Sequence, residues 1–167
     1  CKYKDYIVMD ITTKEIAQNP PLPFITSTFQ QEVSNRLGIS VKDAMSYAQK
    51  LFEGIDINGK HTALITYIRS DDAVISDDFI PEIEKFIINQ YGKKYYGGVK
   101  KTKKKANTQA GHEAIRVIDL DMTPEKLKQY VSDIRMQKIY NLIYCRTIAS
   151  LMKPRKISDT QYIINNG

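Results

Sequence analysis

The segment HTALITYIRSDDAVIS, His61 to Ser76, sets a phenol and a guanidinium two positions apart, Tyr67 and Arg69, in an otherwise apolar run. In a strand, residues two apart point the same way, so Tyr67 and Arg69 would share one face while Thr66 and Ile68 take the other. Such a pair could hold a phosphate. A phenol is a poor nucleophile until its phenolate is stabilised; a guanidinium can do that and can also take up the charge that spreads over phosphoryl oxygens in a transition state. In a chain with 11 tyrosines, the same two side chains also read as plain packing with a cation–π contact. His112, one of only two histidines, could donate to a phosphate or shuttle a proton, or could simply be solvated near a helix start. Asp71, Asp72, Asp77 and Asp78 match no metal-ligand loop, and an acidic helix start accounts for most of them.

The elements that must position these groups belong to a chain of 167 residues, 42% hydrophobic and 26% charged, which suits one globular domain with a real core. The formal charge of +6 favours a polyanionic partner. Much of it crowds the stretch KKYYGGVKKTKKK, where Lys93, Lys94, Lys100, Lys101, Lys103, Lys104 and Lys105 are interleaved with Tyr95 and Tyr96. A solvated loop and a phosphate-tracking patch both fit it. No apolar run reaches the ~18 residues that would argue for a membrane span, so no membrane partner is expected. Two cysteines are too few for a disulfide framework; Cys145, inside the apolar run IYNLIYCRTIASLM, reads as a small core hydrophobe, and a reducing cytoplasm fits best. The chain starts at Cys1 and is strand-like at both ends, which suggests a piece of a longer protein.

KDYIVMDIT alternates as a strand does, and the three prolines of NPPLPF forbid its continuation. TSTFQQEVSNRLG reads as a helix capped by Ser27 or Thr28 and stopped by Gly38. ISVKDAMSYAQKLFEG reads as a second, capped by Ser40, striped by Val41, Ala44, Met45, Ala48, Leu51 and Phe52, and ended by Gly54. After the turn IDINGK, ALITYI reads as a strand, and DDFIPEIEKFIINQYG as a helix with Pro81 in its first turn and Gly92 at its end. Thr123 and Pro124 open a further helix, a longer one runs through Met136, Ile139, Tyr140 and Ile143 until Pro154 forbids it, and TQYIIN closes the chain as a strand. The predicted fold class is mainly α: a winged-helix, CAP-like domain over residues 20–153, with residues 1–19 and 154–167 as strands belonging to a hinge sheet.

Four blocks in succession carry a family resemblance: PPLPFITSTFQQEVSNRLG, AQKLFEG, LITYIRSDD and QAGHEAIR. In that order and spacing they resemble the type IA DNA topoisomerases, and the helix ending in IASLMKP is similar to the family's following segment. The resemblance implies that Tyr67 attacks a backbone phosphodiester of single-stranded DNA and holds the 5′ phosphate, so that religation needs no ATP. It implies that Arg69 stabilises the scissile phosphate, that Asp71 orients neighbouring polar groups, and that Thr66 precedes the nucleophile as in the family. His112 would contact DNA phosphate, with Glu113 and Arg116 shaping its segment; Arg116, Thr66 and Asp71 join it as candidate DNA-binding residues, and Lys100, Lys101, Lys103, Lys104 and Lys105 would track the strand where their stretch acts as a phosphate patch. It also implies a Mg²⁺-binding acidic domain (the TOPRIM domain) outside this chain, the other topoisomerase domains as partners in cis, and little activity for the chain alone.

Three departures stand out: Ser70 and Asp72 where the family usually has Thr and Ser, Ala110 and Gly111 where it has Glu and Ala, and Val117 where it has Pro. The loss of an acid at position 110 bears on the orientation of His112. Two other readings compete. A non-catalytic winged-helix module for single-stranded nucleic acid would use the same helices and lysines. A tyrosine recombinase would place its tyrosine after the arginine and histidine cluster, whereas Tyr67 precedes His112 and Arg116.

Overall fold

A computed structural model describes residues 6–100 and 112–165. Its chain parts into two compact units at the prolines, which lack the amide that would carry a strand onward: the two chain ends, up to Pro20 and from Pro154, form one, and Pro21–Lys153 the other.

The smaller unit is a ribbon of two strands, β1 (Ile7–Gln18) and β4 (Arg155–Asn165), paired antiparallel from Ile7 opposite Asn165 to Gln18 opposite Arg155, with one irregularity between Val8 and Asp10. Both strands run longer than the alternation of KDYIVMDIT and TQYIIN predicts. Every residue of β1 is exposed, including Ile7, Met9 and Ile11.

The larger unit holds the helices. Helix α1 (Thr26–Leu37) buries Phe29 and Val33 and ends at Gly38, whose left-handed φ of 63° suits glycine. Its cap is Ile25 rather than Ser27 or Thr28; Thr28 serves instead from the third helical position, accepting the Ile25 amide at 3.1 Å. Helix α2 (Val41–Glu53) starts where predicted, with the Ser40 hydroxyl accepting the Asp43 amide at 3.1 Å. Ala44, Ala48 and Leu51 of its stripe are buried, while Val41 at the first turn is open to water. The turn after it contains a hairpin, β2 (Ile55–Ile57) and β3 (Lys60–Thr62), closed by Asn58 and Gly59 with φ of 55° and 81°. That Asn-Gly pair is the sequence signal for such a turn. Gly54 is obligatory, since a Cβ there would lie 2.9 Å from the Thr62 carbonyl carbon and oxygen.

Helix α3 (Ile80–Tyr91) buries Ile83 and Ile87, a short 3-10 turn covers Lys93–Tyr95, and α4 (Pro124–Leu127) is capped by Thr123. Helix α5 (Ile134–Ser150), capped by Asp133, lays Met136, Ile139, Tyr140 and Ile143 into the core beside Phe24, Phe29, Leu51 and Ile65. Arg146 of α5 packs on the Phe24 ring and pairs with Glu32 of α1.

Three expectations are corrected. The fold is mixed rather than mainly α: among the described residues, five α-helices share it with two small antiparallel sheets. ALITYI is no strand; it makes only an isolated bridge, Ile65 to Val117, because its neighbours in space are the short extended pieces around Phe24 and Ile115 rather than a long ladder. Cys145 is exposed, since the turn of α5 places it off the stripe that Ile143, Tyr144, Thr147 and Ile148 bury. Among the described residues, no helix is long and apolar enough to cross a membrane.

Candidate active site

Although this stretch is not a strand, residues 66–71 keep the alternation that one would impose. Thr66, Ile68 and Ser70 are buried, Tyr67 is half-buried, and Arg69 and Asp71 are exposed. Two polar clamps hold the backbone extended. The Thr66 hydroxyl donates to the Ala114 carbonyl at 2.7 Å and accepts the Arg116 amide at 2.9 Å, while the Thr66 amide donates to the Arg116 carbonyl at 2.9 Å. Thr26, the first residue of α1, donates its hydroxyl to the Ile68 carbonyl at 2.9 Å, and the Thr26 hydroxyl oxygen accepts the Ser70 amide at 2.9 Å. Thr66 is thus a buried fastener beside Tyr67.

The Tyr67 ring stands between two others. Phe52, at the end of α2, meets it edge to face with centroids 5.3 Å apart, and the His112 imidazole meets it at 4.6 Å and 61°. His112 remains exposed, with its carbonyl oxygen accepting the Ser70 hydroxyl at 2.8 Å. Arg69, Ser70 and Asp71 line an open cavity of about 340 Å³ together with Ile25, Thr26 and Ser27 at the start of α1. The exposed Arg69 guanidinium suits an anion there.

Arg116 is placed differently from the DNA contact expected of it. It is 7% exposed, forms two parallel bonds to Glu113 at 2.8 and 2.9 Å, donates to the Val117 carbonyl and the Ser76 hydroxyl, and stacks 3.8 Å from the centre of the Phe79 ring. Its guanidinium is spent inside the chain. Lys100 is half-buried, and burial pulls its amine below the ordinary lysine value. Lys101, Lys103, Lys104 and Lys105, with Gln109 to Gly111 of the QAGHEAIR block, lie outside the described residues. Among the described residues no group of three or more His, Cys, Asp or Glu could hold a metal ion. Sequence reasoning missed Phe52, Thr26 and Ser70 as parts of the site. Phe52 stood in the stripe of α2, but nothing local ties Thr26 to Ser70.

The family model described as DNA topoisomerase matches residues 1–167, the whole chain. The chain belongs to the bacterial type IA DNA topoisomerases. It is 40% identical to DNA topoisomerase 1 of Fervidobacterium islandicum over 172 residues, covering 99% of this chain and 24% of that protein. It is 40% identical to that of Campylobacter jejuni over 166 residues, covering 98% and 23%. The full-length topoisomerase I of Thermotoga maritima superposes with a TM-score of 0.81 at 34% identity, covering 99% of this chain and 26% of that one. This topoisomerase chain thus spans about a quarter of the length of the relatives it matches.

Proposed function

We propose that this chain is the nucleophile-bearing part of a type IA topoisomerase that breaks and rejoins one DNA strand. The carrying observation is a half-exposed Tyr67 held between Phe52 and His112, with Arg69 at the next exposed position beside an open cavity. In the proposed step the Tyr67 phenol oxygen attacks a backbone phosphorus of single-stranded DNA, the bond to the 3′ sugar oxygen breaks, and the strand's 5′ phosphate stays on the tyrosine. Religation reverses these bonds, so the phosphodiester energy is kept and relaxation of negative supercoils by strand passage needs no ATP. Arg69 would neutralise charge on the phosphoryl oxygens, and the His112 imidazole, in contact with the phenol ring, would meet the same phosphate. Asp71, exposed beside Arg69, would orient polar groups there.

Mg²⁺ would be held by residues outside this chain. The remaining topoisomerase domains would join in cis, which the exposed apolar ribbon supports: Ile7, Met9, Ile11, Tyr162 and Ile164 are all open to water, as residues of a larger sheet would be before their neighbours cover them. Helices α1 and α2 followed by the β2–β3 hairpin support a winged-helix reading of the DNA-binding face. Such an enzyme would work at the nucleoid, in the cytoplasm.

The test is adduct formation with a labelled single-stranded oligonucleotide. This chain alone is expected to give none, and the full-length protein a 5′-phosphotyrosine adduct that Tyr67→Phe abolishes while non-covalent binding stays nearly intact, because only the nucleophilic oxygen is lost. An adduct that persists in Tyr67→Phe, or maps to another tyrosine, would leave only the binding-module reading.

A further inference from the structure

We propose that Ser70 is a positioning residue that sets His112 against the phenol of Tyr67, an inference that rests on the reading of Tyr67 as nucleophile. Ser70 is 6% exposed. Its hydroxyl has one proton to give, and the shorter of its two acceptors is the His112 carbonyl oxygen at 2.8 Å, against 3.2 Å to the Asp72 carbonyl. The Ser70 hydroxyl oxygen in turn accepts the Asp72 amide at 3.3 Å. One buried hydroxyl therefore joins the turn that carries Arg69 and Asp71 to the backbone of the histidine.

The serine is itself anchored. Its amide donates to the Thr26 hydroxyl at 2.9 Å, and its carbonyl accepts the Thr26 amide at 2.9 Å. Downstream, the chain after His112 is held independently: the Ala114 amide donates to the Val74 carbonyl at 2.8 Å and the Ile115 amide to the Phe24 carbonyl at 2.8 Å. Among the described residues the Ser70 hydroxyl bonds the His112 carbonyl, while the imidazole is exposed and makes its ring contact with Tyr67. Without that bond, the His112 carbonyl loses its tie to the turn that carries Arg69, and the imidazole can shift against Tyr67 while positions 113 to 116 keep their own partners.

Ser70→Ala removes the donor, and Ser70→Thr keeps a hydroxyl at the same carbon. In this chain, proton NMR should show cross-peaks between the His112 and Tyr67 rings in the parent and in Ser70→Thr, reduced at least threefold in Ser70→Ala. In the full-length protein, Ser70→Ala should slow adduct formation about tenfold, with oligonucleotide affinity changed less than twofold and Ser70→Thr restoring most of the rate. A purely structural serine would lower the unfolding temperature yet leave the ring cross-peaks and the rate unchanged; that result overturns the inference. If Tyr67→Phe still forms adduct, the nucleophile assignment has failed. If Tyr67→Phe is dead while Ser70→Ala keeps cross-peaks and rate, only the role of Ser70 has.

Discussion

The rings of Tyr67 and His112 meet edge to face with centroids 4.6 Å apart and planes inclined at 61°, although they come from separate segments of the chain. The imidazole is thus in direct contact with the phenol ring, and Arg69 occupies the next exposed position beyond Tyr67.

In the full-length enzyme, Arg69→Ala should slow DNA cleavage by about 10²-fold or more, the scale seen when one preorganised charge stabiliser is removed. Arg69→Lys should recover only part of this, because the planar fork is gone. His112→Ala should fall between the parent and Arg69→Ala. Single-turnover adduct formation measures all three, and a His112→Ala rate below that of Arg69→Ala would reverse their assigned weights.

Binding of a single-stranded oligonucleotide by this chain should be weak and strongly salt-dependent. If the lysines from Lys100 to Lys105 neutralise roughly three to five phosphates, log affinity against log salt should fall with a slope of about −2 to −4. Fluorescence anisotropy across a salt series checks this, and a flat response would withdraw the role given to Lys100, Lys101, Lys103, Lys104 and Lys105.

Arg116→Ala should act on stability before it acts on DNA. It would take the guanidinium from the Glu113 carboxylate, which keeps the Ser76 amide, and from the Ser76 hydroxyl, and would uncover the Phe79 ring. The expected cost is about 2 kcal/mol, less than for a fully buried pair because the Glu113 side chain is 29% exposed. In thermal unfolding that is roughly 4–8 °C. A variant that unfolds like the parent but loses DNA affinity would restore Arg116 to the DNA-contact set.

Two tyrosine phenols made less acidic by burial make the fold sensitive to alkali. Burial, helped by nearby Tyr91, pushes the Tyr144 phenol up to about 12, and burial raises that of Tyr140 as well. Both phenols donate to backbone carbonyls, Tyr144 to Leu120 at 2.8 Å and Tyr140 to Met122 at 2.7 Å. A folded-state value above the ordinary 10.0 means that the folded chain holds its protons longer than the unfolded one. The contribution is therefore complete below pH 10 and is lost as pH rises through the folded values. Unfolding temperature should drop steeply between pH 10 and 12, and Tyr144→Phe should flatten part of that drop while lowering stability at neutral pH.

Much of this molecule is legible along the chain because the causes are local. Ser40 caps α2 three residues from the amide it accepts, Gly38 and Gly54 end helices by their own backbone freedom, and Thr123 and Pro124 open α4. The apolar spacing of α5 carries Met136, Ile139, Tyr140 and Ile143 into the core. The alternation from Thr66 to Asp71 is also local, which is why Tyr67 and Arg69 emerge together even though the strand that first suggested it never forms. Asn58 and Gly59 carried a hairpin signal that the reading of a plain turn overlooked.

What no local pattern contains is the set of partners chosen across long loops. Thr26 on Ser70, Ser70 on His112, Thr66 on Ala114 and Phe52 on Tyr67 each join residues whose neighbours in sequence give no hint of the other. Arg116 shows the same limit most plainly: a lone arginine after a histidine block suits a DNA surface, and only closure of the chain, bringing Glu113, Ser76 and Phe79 around it, turns it inward. A buried polar group must find its partner wherever packing of the apolar core has brought one within about 3 Å, and that position is a property of the closed fold rather than of any stretch of residues.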